Sequence, residues 1–228
     1  MTVFHLTDDG EAADLAAFLA RLIHYDRGAA VRLQAAGTTL AVFGRPPSFE
    51  VLAIRTVRLA KPYDDGLDVR LDVTVSAGEL LESVDEAAAT ATVPDAVTGP
   101  PWAGVLPPRG GWRTVPDLPG PDALRATVSA AVAEFRSRTE ELAPERRTRA
   151  ALDRIGREIW SRTVGDTGLE VRAVHAAQSL GFLRPTPPAP GEEPPVLYSS
   201  GAWLRLRTPY GSIAVRRAGL GALDVSVR

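Results

Sequence analysis

The chain has no cysteine. That absence excludes disulfides, thiolate zinc sites, cysteine nucleophiles and cysteine-held iron–sulfur clusters. Lysine is nearly absent as well: of 26 basic residues only Lys61 is a lysine, and it stands in no GxxxxGK[ST] phosphate loop. No GxSxG nucleophile elbow occurs, and no GxGxxG follows a strand-like run. Apolar runs are short. None approaches the roughly 18 residues that a membrane-spanning helix requires, so no membrane association is expected. The opening MTVFHLTDDGEAAD is acidic and lacks a basic region followed by an apolar run. No secretory signal is therefore expected, and the cytoplasm is the expected compartment.

The three histidines, His5, His24 and His175, form no i, i+4 pair and no HExxH motif. Each reads as a capping or structural residue: His24 lies near a helix C-terminus, which favours a cation, and His175 near the apolar side of a helix. Asp64, Asp65 and Asp68 lack the spacing of a calcium loop and read as a solvated turn. Arg109-Gly110-Gly111-Trp112 is too short to cradle a phosphate and reads as a turn. No catalytic residue, cofactor or metal ligand is assigned.

What is present is enough apolar residue, 45%, to build an ordinary globular core. Net charge is −2, so bulk attraction to nucleic acid or anionic lipid is not expected. The periodicities predict an α+β fold of antiparallel hairpins and sheets with amphipathic helices packed on them. Leu15, Phe18, Leu19, Leu22 and Ile23 repeat at helical spacing and predict a helix over 8–26, opened by an Asp8–Glu11 capping box. Val31 and Leu33 alternate with polar residues, turn at Ala36-Gly37 and return over Thr39–Phe43. Residues 49–59 read as a buried strand and 67–75 as a half-buried one. A short helix is expected from Ala77 to Ser83. Further helices are expected over 122–142, over 145–162 with Pro144 in its first turn, and over 169–180, ended by Gly181. On the 145–162 helix, Asp153/Arg157 and Arg154/Glu158 stand at i, i+4 on the wet side. A hairpin over 202–217 and a last strand at Leu223, Val225 and Val227 close the chain.

The expected organisation is 1–93 as helix plus antiparallel sheet, 94–121 as connection, and 122–228 as helices followed by hairpin and strand. Eight of the 28 residues from Pro94 to Pro121 are proline, and so are six of the eleven from Pro185 to Pro195. Both stretches read as irregular loops. Gly28–Val42 and Gly201–Val215 match without gaps at an offset of 173, with six of fifteen positions identical. Either the chain holds two duplicated helix-plus-sheet halves, or hairpins share this pattern by physics.

Three functional readings remain. The leading one is a non-enzymatic binding protein, an adaptor, assembly or chaperone-like module for a protein partner. Its candidate contact residues are Trp203, Arg205, Arg207 and Arg216 on the wet face of the 202–217 hairpin, with Trp102 and Trp112 on the proline-rich connection. Arginine forks on such a face are either solvated or dock carboxylates or phosphates. The alternative is a winged-helix regulator that binds nucleic acid: three helices precede the hairpin, and residues 120–228 carry +4 against −6 for 1–119. Against it, 169–180 holds only Arg172 as a basic residue, which suits a recognition helix poorly. An enzyme with an unrecognised site is the third. The sequence carries no signal for an oligomeric state.

Overall fold

The computed structural model describes residues 2–63, 70–185 and 193–217. Its main element is an eight-stranded antiparallel sheet covered on one face by helices, an α+β fold. In chain order the strands of the first half are β1 (Val3–His5), β2 (Ala30–Ala36), β3 (Thr39–Gly44), β4 (Leu52–Arg58), β5 (Leu71–Ser76), β6 (Val84–Asp85) and β7 (Thr90–Thr92). β8 (Arg113–Val115), β9 (Val196–Ser200), β10 (Trp203–Thr208) and β11 (Gly211–Arg216) follow. The helices are α1 (Asp9–Tyr25), α2 (Ala77–Glu82), α3 (Pro121–Glu140), α4 (Arg149–Trp160) and α5 (Val171–Ser179). The large sheet runs β5-β2-β3-β4-β11-β10-β9-β8, and β1, β7 and β6 form a small one.

Period-2 alternation decides which face each strand buries. Val31, Leu33, Leu40, Val42, Ala53, Val57, Leu204, Leu206, Ile213 and Val215 point to the helices and are almost wholly buried. α1 presents Leu15, Phe18, Leu19 and Leu22 to that core, all at 0–1% exposure. Its N-cap is Asp8, whose carboxylate accepts from the Glu11 amide at 2.8 Å. Only half of the expected capping box forms, because the Glu11 side chain turns inward to arginines of β4. α5 ends at Gly181, whose φ of +76° allows the Phe182 amide to reach back to the Ala177 carbonyl at 2.7 Å.

The sheet order reads alike from both ends. Each half is a helix followed by a three-strand meander, α1 before β2-β3-β4 and α5 before β9-β10-β11. The two meanders meet where β4 pairs antiparallel with β11, and α1 lies on β4 as α5 lies on β11. This relation sets β3 against β10 and β4 against β11. The ungapped sequence match instead sets β2 against β10 and β3 against β11. Nor does the pairing follow the match: an offset of 173 carries the Arg32–Phe43 pair onto Arg205 and Arg216, yet Arg205 pairs with Ala214 and Arg216 with Trp203. The strand pairing thus gives the segment match no support as a duplication. Two amphipathic hairpins share apolar alternation whatever their origin.

Several expectations shift. The residues expected as two strand groups lie in one sheet. Its described part of 67–75 is the strand β5 from Leu71 onward, paired with β2, whereas Asp64–Val69 and Leu223–Val227 lie outside the described residues. The 94–121 connection contains a 3-10 turn at Pro101–Gly104 and the short edge strand β8. Pro144 heads a separate 3-10 turn over Pro144–Arg146, and α4 starts only after Thr148, whose hydroxyl accepts from the Ala151 amide at 3.3 Å. Asp153 faces Arg149 rather than Arg157, and Glu158 bridges to Arg138 of α3 at 2.7 and 2.8 Å. Glu158 of α4 therefore serves helix pairing.

His175 of α5 stacks on Trp160 with ring centroids 4.7 Å apart and meets Phe49 edge-on at 5.1 Å. Burial lowers its pKa from the ordinary 6.5. A folded-state pKa below the unfolded one means that the unfolded chain takes up the proton first. Stability is complete above about pH 6.5 and falls as the pH drops through and below that value. Denaturant midpoints between pH 7.5 and 5 are expected to fall less in a His175→Phe variant than in the wild type. Equal slopes would show that His175 does not contribute to the acid sensitivity.

Candidate docking site

The face of the large sheet turned away from the helices carries a second, smaller apolar cluster of Phe43, Leu52, Ile54 and Ala214. Trp102, Leu106 and Trp203 pack against it. Trp102 thereby fastens the 94–121 connection across this face, a structural task, and is half-buried.

β10 projects Trp203, Arg205 and Arg207 onto the same outer face, opposite Arg216, Ala214 and Ser212 of β11. The sequence alternation placed these four candidates together, and they are together. Their surroundings differ. Arg216 lies over Trp203, its guanidinium carbon 5.6 Å from the ring, and Arg207 pairs with Glu193. Arg205 has no carboxylate partner among the described residues. Its Nη2 donates to the Ser212 hydroxyl at 3.1 Å, its guanidinium carbon lies 6.0 Å from the Trp112 ring, and its buried Nε has no partner among the described residues. Burial, and after it the Arg207 charge, push this guanidinium below its ordinary pKa. Trp112 is held in turn by a 3.0 Å hydrogen bond from its indole N–H to the Pro108 carbonyl.

Arg205 forms one wall of a groove of about 620 Å³. The floor is Ala41, Phe43 and Ile54 of β3 and β4, and Leu106 to Pro108 lean over it. The far wall comes from the first half of the chain. There Arg32 of β2 holds Asp72 of β5 in a two-pronged ion pair, at 2.6 and 2.8 Å, and Gln34 adds a third bond at 3.0 Å. The Arg32 guanidinium holds the Asp72 carboxyl below the usual carboxylate range. Arg32 also donates to the Ala103 carbonyl and so anchors the overhanging loop. Arg70 and Arg109 complete this wall, both exposed and without an ion-pair partner among the described residues. Four strand steps separate β10 from β2, about 19 Å at the usual spacing.

Sequence reading missed Arg32, Asp72, Arg70 and Arg109. The alternation of Arg32 and Gln34 marked a wet strand face, but no local signal said that this face continues that of Arg205 through β3, β4 and β11. A somewhat larger hollow, about 730 Å³, lies beyond the ends of β2 and β5. There a single cation, Arg45, is matched by a single carboxylate, Asp26, so that hollow offers no net charge. Among the described residues no group of three or more His, Asp or Glu side chains is placed to hold a metal ion. No helix among them is long and apolar enough to cross a membrane.

Residues 1–104 match the family described as Domain of unknown function (DUF8010). No curated protein and no solved structure matches the chain. Residues 107–220, half of the chain, match the family described as Domain of unknown function (DUF8185), and the chain belongs to that family.

Proposed function

We propose that the protein is a non-enzymatic binding module for another protein, and that the partner docks on the outer face of the large sheet. The observation that carries this reading is the charge balance of the groove. Among the described residues four arginines line it against one carboxylate, Asp72, and Arg32 already holds that one. Three guanidiniums, of Arg70, Arg109 and Arg205, have no ion-pair partner among the described residues and stand beside an apolar floor, and arginine beside apolar surface is what protein interfaces favour. The winged-helix alternative has less support. A wing extends freely from its domain, whereas the β10–β11 hairpin is paired with β9 on one side and β4 on the other.

The test is capture by the immobilised full chain from lysate of the source cell, with and without nuclease, and with an Arg205→Glu/Arg207→Glu chain alongside. Retention of a protein after nuclease treatment, and its loss on the double reversal, is the expected result. Release by nuclease would replace this reading with the nucleic-acid one. Undiminished capture by the double reversal would move the docking surface elsewhere.

A further inference from the structure

We propose that the groove between Arg205 and Arg109 holds an acidic segment of the protein partner, with a carboxylate at each end and an apolar side chain between them. This rests on the binding-module reading above and specifies its ligand. Charge sits at the two walls, Arg205 on one and Arg70 with Arg109 on the other, and the floor between them is apolar. An occupant complementary to both parts is anionic at its ends and apolar in its middle. Carboxylate is the fitting anion, because a guanidinium fork takes it with two parallel hydrogen bonds. The Arg32–Asp72 pair displays that geometry in the same wall, with its two bonds of 2.6 and 2.8 Å.

The wall at Arg205 is prepared for a further acceptor. Among the described residues its Nε has no partner, and Ser212 takes only one Nη. Arg205 is half-buried, so a carboxylate that meets its guanidinium in the groove is screened less by water than one bound at an exposed arginine. The groove is partly open to solvent. A pocket for a small molecule encloses most of its ligand, but an open groove leaves one side of its occupant in water, as a peptide segment tolerates. A second copy of this face would bring like charges together. A nucleic-acid strand calls for a continuous row of cations along its backbone, and here an apolar floor interrupts the cations.

The probe is the blocked tetrapeptide acetyl-Glu-Leu-Leu-Glu-amide, titrated into the full chain by calorimetry at low salt. Acetyl-Gln-Leu-Leu-Gln-amide, inorganic phosphate and a ten-residue oligothymidylate are titrated separately. The acidic peptide is expected to bind at least about tenfold more tightly than the other three, and to weaken as ionic strength rises. Arg109→Glu, on an exposed loop, is expected to weaken it about tenfold or more without changing the melting temperature. Arg205→Gln is expected to weaken it to a similar degree, with folding checked by the same melt.

Equal binding of the two peptides overturns the proposal, as does indifference to Arg109→Glu. Tighter binding of phosphate or oligothymidylate overturns it in favour of a phosphate site. A partner captured from lysate that still binds both variants sinks the groove but leaves the binding-module reading standing. Absence of both capture and peptide binding sinks the two together.

Discussion

Replacing Arg55 with methionine is expected to cost about 3–5 kcal/mol of folding stability, measured by denaturant titration. Arg55 sits on the helix-facing side of β4 with its side chain only 6% exposed. Its Nη2 donates to Glu11 of α1 at 2.7 Å and lies 3.4 Å from Asp14, and its Nη1 donates to the Tyr210 carbonyl at 2.9 Å. One guanidinium thus ties the first helix to the β10–β11 turn, across the junction of the two meanders. Deleting it strands the buried Glu11 carboxylate with Arg58, an arginine whose side chain is 71% exposed. The size of the loss comes from that uncompensated charge rather than from the net worth of the pair. A Glu11→Leu/Arg55→Met double variant should therefore be more stable than the sum of its single changes implies. Arg58→Met, on the wet side of the same carboxylate, should cost no more than about 1 kcal/mol. A loss below about 1 kcal/mol for Arg55→Met would mean that water reaches Glu11 and that the network is not buried in solution.

The same network marks where local sequence signals stop. Asp8 and Glu11 have the spacing of a capping box, and Asp8 performs its half. Glu11 does not, because a buried arginine 44 positions away competes for it, and no window along the chain reveals that. Period sufficed for α1, α3, the β2–β3 hairpin and β10, where six or more residues alternate or recur. It failed for β8, three residues between prolines, and for β9, which follows the proline-rich stretch before residue 196. Short strands at or near a sheet edge bury too little to impose a pattern. Within the site, alternation alone gave the common face of Trp203, Arg205, Arg207 and Arg216. The first-half wall of the groove follows from the β4–β11 pairing, which is a long-range contact with no sequence signature.

That junction is also where the fold should be most sensitive to volume. Phe182, just after α5, is 3% exposed and stacks on Phe18 of α1 with ring centroids 5.6 Å apart. Its ring also fills the space over Gly211, where a β-carbon would lie 2.5 Å from two ring atoms. Phe182→Ala should cost about 3–5 kcal/mol, since a ring held between α1 and β11 leaves a cavity that the helices cannot readily close. Gly211→Ala should cost about 1–3 kcal/mol by the opposite fault, because the ring has no room to retreat from Phe18. The two faults offset each other. In the Phe182→Ala background the added methyl enters vacated space and only the strain of a φ of +158° remains, so Gly211→Ala should there cost less than it does alone, with a coupling of at least about 1 kcal/mol. Denaturant titration of the four chains closes the cycle. Additive losses would show that Phe182 does not cover Gly211, and the contact between α1 and the second meander would have to be redrawn.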